Sequence, residues 1–139
     1  MIKTLRQFMV KKLKEPADGS METGIEWICA SLGFLSSRDQ DKTAFRIMKA
    51  LIEASGKGKS LSSEELTAYV EPTIGSVIYH LKKLMRSGLV VKLDSGYELR
   101  MNSLCRTIEE IEKEIFITID DIKKIASEVD HKAGQANRR

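Results

Sequence analysis

Apolar residues recur every three or four positions along most of the chain, interrupted once by a short β-branched stretch. In residues 1–14, Ile2, Leu5, Met9 and Leu13 share one helical face, with Lys3, Arg6, Lys11, Lys12 and Lys14 elsewhere. That pattern predicts a short basic amphipathic helix, marginal unless it lies on a surface. Pro16, Asp18 and Gly19 break the chain, and Ser20 is placed to cap a second helix. Its face is Ile25, Ile28, Cys29 and Leu32, and Gly33 stands where it should stop. Beyond the polar junction of Ser36, Ser37, Arg38 and Asp39, a third helix is expected over 41–55. There Ala44, Phe45, Met48, Leu51 and Ile52 point inward, and Gly56-Lys57-Gly58-Lys59 closes the element.

Ser62 and Glu65 have capping-box spacing and start a short helix running to about residue 70. Glu71 and Pro72 break it, and Pro72 suits the first turn of the next helix, expected over 72–87. Gly88 follows at the C-cap position. The period then changes. Residues 89–93 (Leu-Val-Val-Lys-Leu), a turn of Asp94, Ser95 and Gly96, and a return over 97–100 predict a β-hairpin. Asn102 or Ser103 caps a long helix ending near His131, followed by a basic tail.

A short helix, a tight break, a second helix and a two-stranded hairpin is the order of a winged helix-turn-helix. The expected architecture is mainly α with a small β-hairpin wing. It divides into an N-terminal helical extension (1–36), the helix-turn-helix domain (37–101), a coiled-coil-like dimerisation helix (102–131) and a disordered basic tail (132–139). In this fold the second helix of the pair enters the DNA major groove. Here Ile74, Val77, Ile78, Leu81, Leu84 and Met85 lie on one side of that helix, for packing. Thr73, Ser76, Tyr79, His80 and Lys83 lie on the other, types able to reach base edges. Gly75, costly in a helix interior, suits either close approach of DNA or tight packing on a neighbour.

Composition changes the picture mainly through charge placement. The 139 residues hold 23 Lys and Arg against 20 Asp and Glu, a net charge of +3 that decides nothing as a sum. Residues 72–93 carry no acid, while Lys82, Lys83, Arg86 and Lys92 supply four positive charges. Such a patch suits a phosphate backbone, whose counterions are released on binding. A hydrophobic share of 42% and a charged share of 31% fit a globular chain. No apolar run is long enough for a membrane helix, so no integral membrane association is expected. With only Cys29 and Cys105, a disulfide scaffold is excluded and a reducing, cytoplasmic setting is expected. Both cysteines have apolar neighbours and are expected as buried inert thiols, with a redox switch the alternative.

The run His80-Leu81-Lys82-Lys83-Leu84 followed by Arg86-Ser87-Gly88-Leu89-Val90 resembles the recognition-helix signature of ArsR-type winged-helix regulators, archaeal members especially. Tyr97-Glu98-Leu99-Arg100 is similar to the return strand of their wing. The resemblance implies base or groove contacts for Thr73, Ser76, Tyr79 and His80. It implies phosphate contacts for Lys82, Lys83 and Arg86, and a wing cation role for Lys92 and Arg100. His80 would mainly bond the backbone or a phosphate. The metal-sensing pattern of that family is missing, since the helix pair has no cysteine and Asp130 and His131 are adjacent and point apart.

In the last helix Leu104, Ile108, Ile111, Ile115, Thr118, Ile122, Ile125 and Val129 form an unbroken heptad seam. Such a helix is expected to pair with a second copy of itself, with Thr118 free to pin the register. Phe116, Ile117 and Ile119 broaden the apolar surface, and the helix around 21–34 is expected to cover them. Residues 103–131 hold eight acids and four cations, the charge of a stalk and not of a DNA contact.

No phosphate-loop, dinucleotide or activated-nucleophile motif is present, so neither an enzyme nor a cofactor is expected, and no small-molecule ligand is identifiable. The leading expectation is a homodimeric, sequence-specific DNA-binding transcription regulator reading an inverted repeat, with repression the expected mode. A winged helix serving as a protein–protein adaptor in a transcription or chromosome-associated assembly stays open, as does structured-RNA binding. For residues 1–14, a dimer clasp, a DNA-phosphate contact and a membrane-surface anchor all stay open.

Overall fold

The computed structural model describes residues 2–35, 42–70 and 73–134. The polar junction at 36–39, the Glu71-Pro72 break and the tail from 135 onward lie outside the described residues. The elements are α1 (Met21–Ser31), α2 (Thr43–Gly56), α3 (Ser63–Val70), α4 (Ile74–Arg86), β1 (Val90–Leu93), β2 (Gly96–Leu99) and α5 (Leu104–Lys132). This is a winged helix-turn-helix with a long C-terminal helix.

Helix starts are written in the caps. Ser20, Thr73 and Ser103 each accept a hydrogen bond from the backbone N–H three residues on, opening α1, α4 and α5. At α3 the box is reciprocal: Glu65 N–H donates to Ser62 Oγ, and Ser62 N–H donates to Glu65 Oε1, both at 3.0 Å. α2 lies at the centre, packed by α1, α3, α4 and β2. Its core face includes Ile47, Ala50 and Ala54 besides the expected Ala44, Met48 and Leu51, whereas Phe45 and Ile52 are only partly buried.

β1 and β2 pair antiparallel, Leu93 opposite Gly96, so the turn is Asp94-Ser95 alone and Gly96 already belongs to the return strand. A third segment joins them. Leu61 exchanges two backbone hydrogen bonds with Tyr97, at 3.0 and 2.7 Å. Gly96 makes this possible: its φ is +134°, and a Cβ there would lie 2.6 Å from the Leu61 carbonyl oxygen.

The N-terminal segment departs from expectation. Residues 2–19 contain no helix, and α1 alone represents the helical extension foreseen over 1–36. The segment is a non-helical strap whose backbone is held at three points. Gln7 N–H donates to Arg86 O at 3.1 Å, Lys11 N–H to Ser31 O at 2.7 Å, and Trp27 Nε1 to Lys14 O at 2.7 Å. Alternation replaces the helical period. Arg6 and Phe8 turn toward the body, whereas Ile2, Leu5, Met9 and Leu13 remain in part or largely exposed. Tertiary contacts win over a helix that was marginal on its own.

Only the first half of α5 packs on its own domain. Thr107 and Ile111 are buried and Leu104 and Ile115 partly so, while Phe116, Ile117, Ile119, Ile122, Ile125 and Val129 are exposed. The expected cover of Phe116, Ile117 and Ile119 by α1 is therefore absent, because α1 spends its apolar face on α2. Cys29 is buried as expected, and Cys105, on the outer side of the first turn of α5, is exposed and not buried. Among the described residues no helix is long and apolar enough to cross a membrane.

Candidate nucleic-acid interface

The amphipathic split of α4 places the candidate site. Val77, Leu81 and Leu84 are fully buried and Ile78 and Met85 partly so, which fixes the roll of the helix. Ile74, assigned to the packing side, is 48% exposed in the first turn, where α4 has already left the core. The opposite side carries Ser76, Tyr79, His80, Lys82, Lys83 and Arg86, with Thr73 at its head. Thr73 Oγ1 is engaged as the N-cap, accepting from Ser76 N–H at 3.2 Å.

A small cluster orders the middle of this face. His80 Nδ1 lies 2.9 Å from Ser76 O. A carbonyl can only accept, so Nδ1 carries a proton and donates to it. The Tyr79 ring meets His80 edge-on, with centroids 5.3 Å apart, and Lys83 Nζ sits 5.1 Å from the Tyr79 centroid. Lys82 and Arg86 are exposed and form no ion pair among the described residues. Around Gly75 a Cβ would meet only Thr73 Oγ1, at 3.9 Å. Tight packing on a neighbouring helix therefore does not explain that glycine.

The two wing cations differ in their surroundings. Lys92 is exposed on β1, its Nζ 5.7 Å from the Tyr97 ring centroid. Arg100 is engaged within the protein. Its Nη1 donates to Glu114 Oε1 at 2.6 Å, and its side chain is only 19% exposed. Arg6 completes the cluster, donating from Nη2 to Glu114 Oε2 at 3.3 Å and from Nη1 to Met85 O at 3.0 Å. Burial opposes ionisation of Glu114 most strongly. The Arg100 hydrogen bond and the charges of Arg6 and Arg100 together outweigh it and hold the carboxyl below its ordinary range.

Sequence reasoning missed what surrounds the far end of the site. Lys83, Arg86 and Ser87 share a shallow cavity of about 150 Å³ with Gln7, Met9, Leu32, Gly33 and Phe34. Gly33, at φ +82°, ends α1 beneath Met9, and a Cβ there would fall on the Met9 thioether. No group of His, Cys, Asp and Glu able to hold a metal is found among the described residues.

A basic, acid-free second helix, seated behind a capped first helix and followed by a hairpin, defines the reading unit of a winged helix-turn-helix DNA-binding protein. Residues 41–92 match the family model of the bacterial regulatory proteins of the arsR family, and this segment is an arsR-family regulator domain. The protein thus carries the helix-turn-helix of a DNA-binding transcription regulator. No curated protein and no solved structure matched the chain.

Proposed function

We propose that the protein is a cytoplasmic homodimeric repressor that reads an inverted repeat. The observation that carries the DNA reading is the outer face of α4, where Lys82, Lys83 and Arg86 are exposed on a segment without an acid. In this reading Thr73, Ser76, Tyr79 and His80 contact base edges or the groove, and Lys82, Lys83, Arg86 and Lys92 contact phosphates. Ser76, Tyr79 and His80 act as one unit, because the His80 ring is held by the Ser76 carbonyl and the Tyr79 edge.

Dimerisation is drawn from α5. Its 29 residues extend on the order of 43 Å, and the six large apolar side chains between 116 and 129 are exposed. An exposed stripe of that size on an otherwise charged helix suits a second copy of the same stripe. The proposed interface is Thr118, Ile122, Ile125 and Val129 joined by Phe116 and Ile119. Leu104, Ile108, Ile111 and Ile115 are the half of the heptad seam that the domain occupies itself or holds close. Residues 37–101 are then the reading domain and 102–131 the stalk.

Two-fold symmetry sets the α4 helices about 34 Å apart, in successive major grooves. Selection of bound duplexes from a random pool tests this reading. A consensus with dyad symmetry is expected, and a consensus with one half-site and no symmetry would contradict it.

A further inference from the structure

We propose that residues 2–14 form a cationic arm that contacts the phosphate backbone of the same duplex that α4 reads. The inference rests on the DNA reading above and extends its contact surface to a segment outside the helix-turn-helix.

Residues 2–14 hold five cations and no acid. Arg6 is consumed inside the protein by Glu114 and Met85 O. Lys3, Lys11, Lys12 and Lys14 are exposed and make no ion pair among the described residues. Four unneutralised ammonium groups on a short strap set up a positive field that only an external anion can compensate.

The path of the strap decides which anion. Arg6, Gln7, Phe8 and Val10 border Ile115, Thr118 and Ile119 of α5, and Gln7 and Met9 border Lys83 and Arg86 of α4, so the strap touches both helices. The Gln7 hydrogen bond to Arg86 O then ties the strap to the end of the helix that carries the phosphate-contacting cations. From that junction the strap runs on along α1, where Lys11 N–H donates to Ser31 O and Lys14 O accepts from Trp27 Nε1, so the arm lysines flank the point where the strap meets α4.

The strap's non-helical path removes the amphipathic face that insertion into a membrane surface requires. Of the carboxylates of the acidic stalk, Glu114 is bonded to Arg6 and Arg100, and Glu110 and Asp120 are paired along the helix with Lys113 and Lys124. A duplex phosphate backbone fits the remaining charge.

The test compares the full chain with its K3Q/K11Q/K12Q/K14Q variant on a fluorescent random-sequence duplex, by anisotropy across a salt series. These lysines are exposed, so circular dichroism should show unchanged helix content. Each lysine in contact adds ~0.9 to the slope of log K against log salt. The variant is expected to bind about tenfold or more weakly at ~0.1 M salt and to flatten the slope by at least ~2 per protomer. A variant with the parent's affinity and slope overturns the arm. A parent that fails to bind even at low salt overturns the DNA reading itself, so the two failures are distinguishable.

Discussion

Arg100, at the foot of the wing, donates to Glu114 of α5 at 2.6 Å, and the other oxygen of that carboxylate accepts from Arg6 at 3.3 Å. One turn of the stalk therefore holds both the base of the wing and the N-terminal strap. Because Arg6 also bonds Met85 O, the C-terminal end of α4 is fixed by the same cluster.

Glu114 should make stability pH-dependent. Its folded pKa lies below the ordinary value of 4.5, so its contribution is fully present above that value and is lost as pH falls through the folded pKa. Glu114→Gln should cost about 1–2 kcal/mol at neutral pH, between a surface ion pair and a buried charged hydrogen bond. Urea unfolding of both proteins should show the gap closing as pH drops below 4.5. A gap that is constant down to strong acid would contradict the assignment.

Gly96→Ala should destabilise the wing. The new Cβ would meet the Leu61 carbonyl and hold a strained φ, together costing about 2–3 kcal/mol. Denaturant midpoints measure the loss, and hydrogen exchange at Leu61 and Tyr97 should rise with it.

The two thiols should separate sharply. Cys29 is buried, and burial first, with the nearby Glu26 charge second, pushes its pKa up to about 12. Cys105 is exposed. Titration with a disulfide reagent at neutral pH should label one thiol quickly in the folded protein and both in urea, and Cys105→Ser should remove the fast phase.

Substitutions along α5 should fall into two classes. Ile111→Ala, in the packed half, should cost about 2–4 kcal/mol of fold stability. Ile122→Asp with Ile125→Asp, in the exposed half, should leave the fold intact and yield a monomer by light scattering at micromolar concentration. An unchanged dimer would place the interface elsewhere, and a parent that is already monomeric would remove it.

Much of the fold was legible because caps and periodicity are local. Ser20, Ser62 with Glu65, and Ser103 each announce a helix start whose hydrogen bonds lie within three residues. The apolar stripe of α4 likewise fixes its outward set. What failed depended on distant partners. Residues 2–14 have the spacing of a helix, yet hydrogen bonds to Arg86 and Ser31 draw them out along the body. Leu61 joins the hairpin from far upstream, with only Gly96 as a trace. Arg100 looked like a free wing cation because Glu114 and Arg100 are brought together by the turn into α5. The heptad seam gave no sign that the domain takes its first half and leaves the second.

In the proposed mode of binding, the acid-free face of α4 uses phosphate contacts to position itself on DNA and side chains to read bases. The most direct measurement is the salt dependence of duplex affinity for the parent, for Lys83→Ala with Arg86→Ala, and for Ser76→Ala with Tyr79→Ala. Loss of the lysine–arginine pair should weaken all sequences alike and lower the slope by ~2 per protomer, whereas loss of the second pair should change preference among sequences and leave the slope unaltered. Identical behaviour of the two pairs, or no binding by the parent at low salt, would contradict that mode of binding.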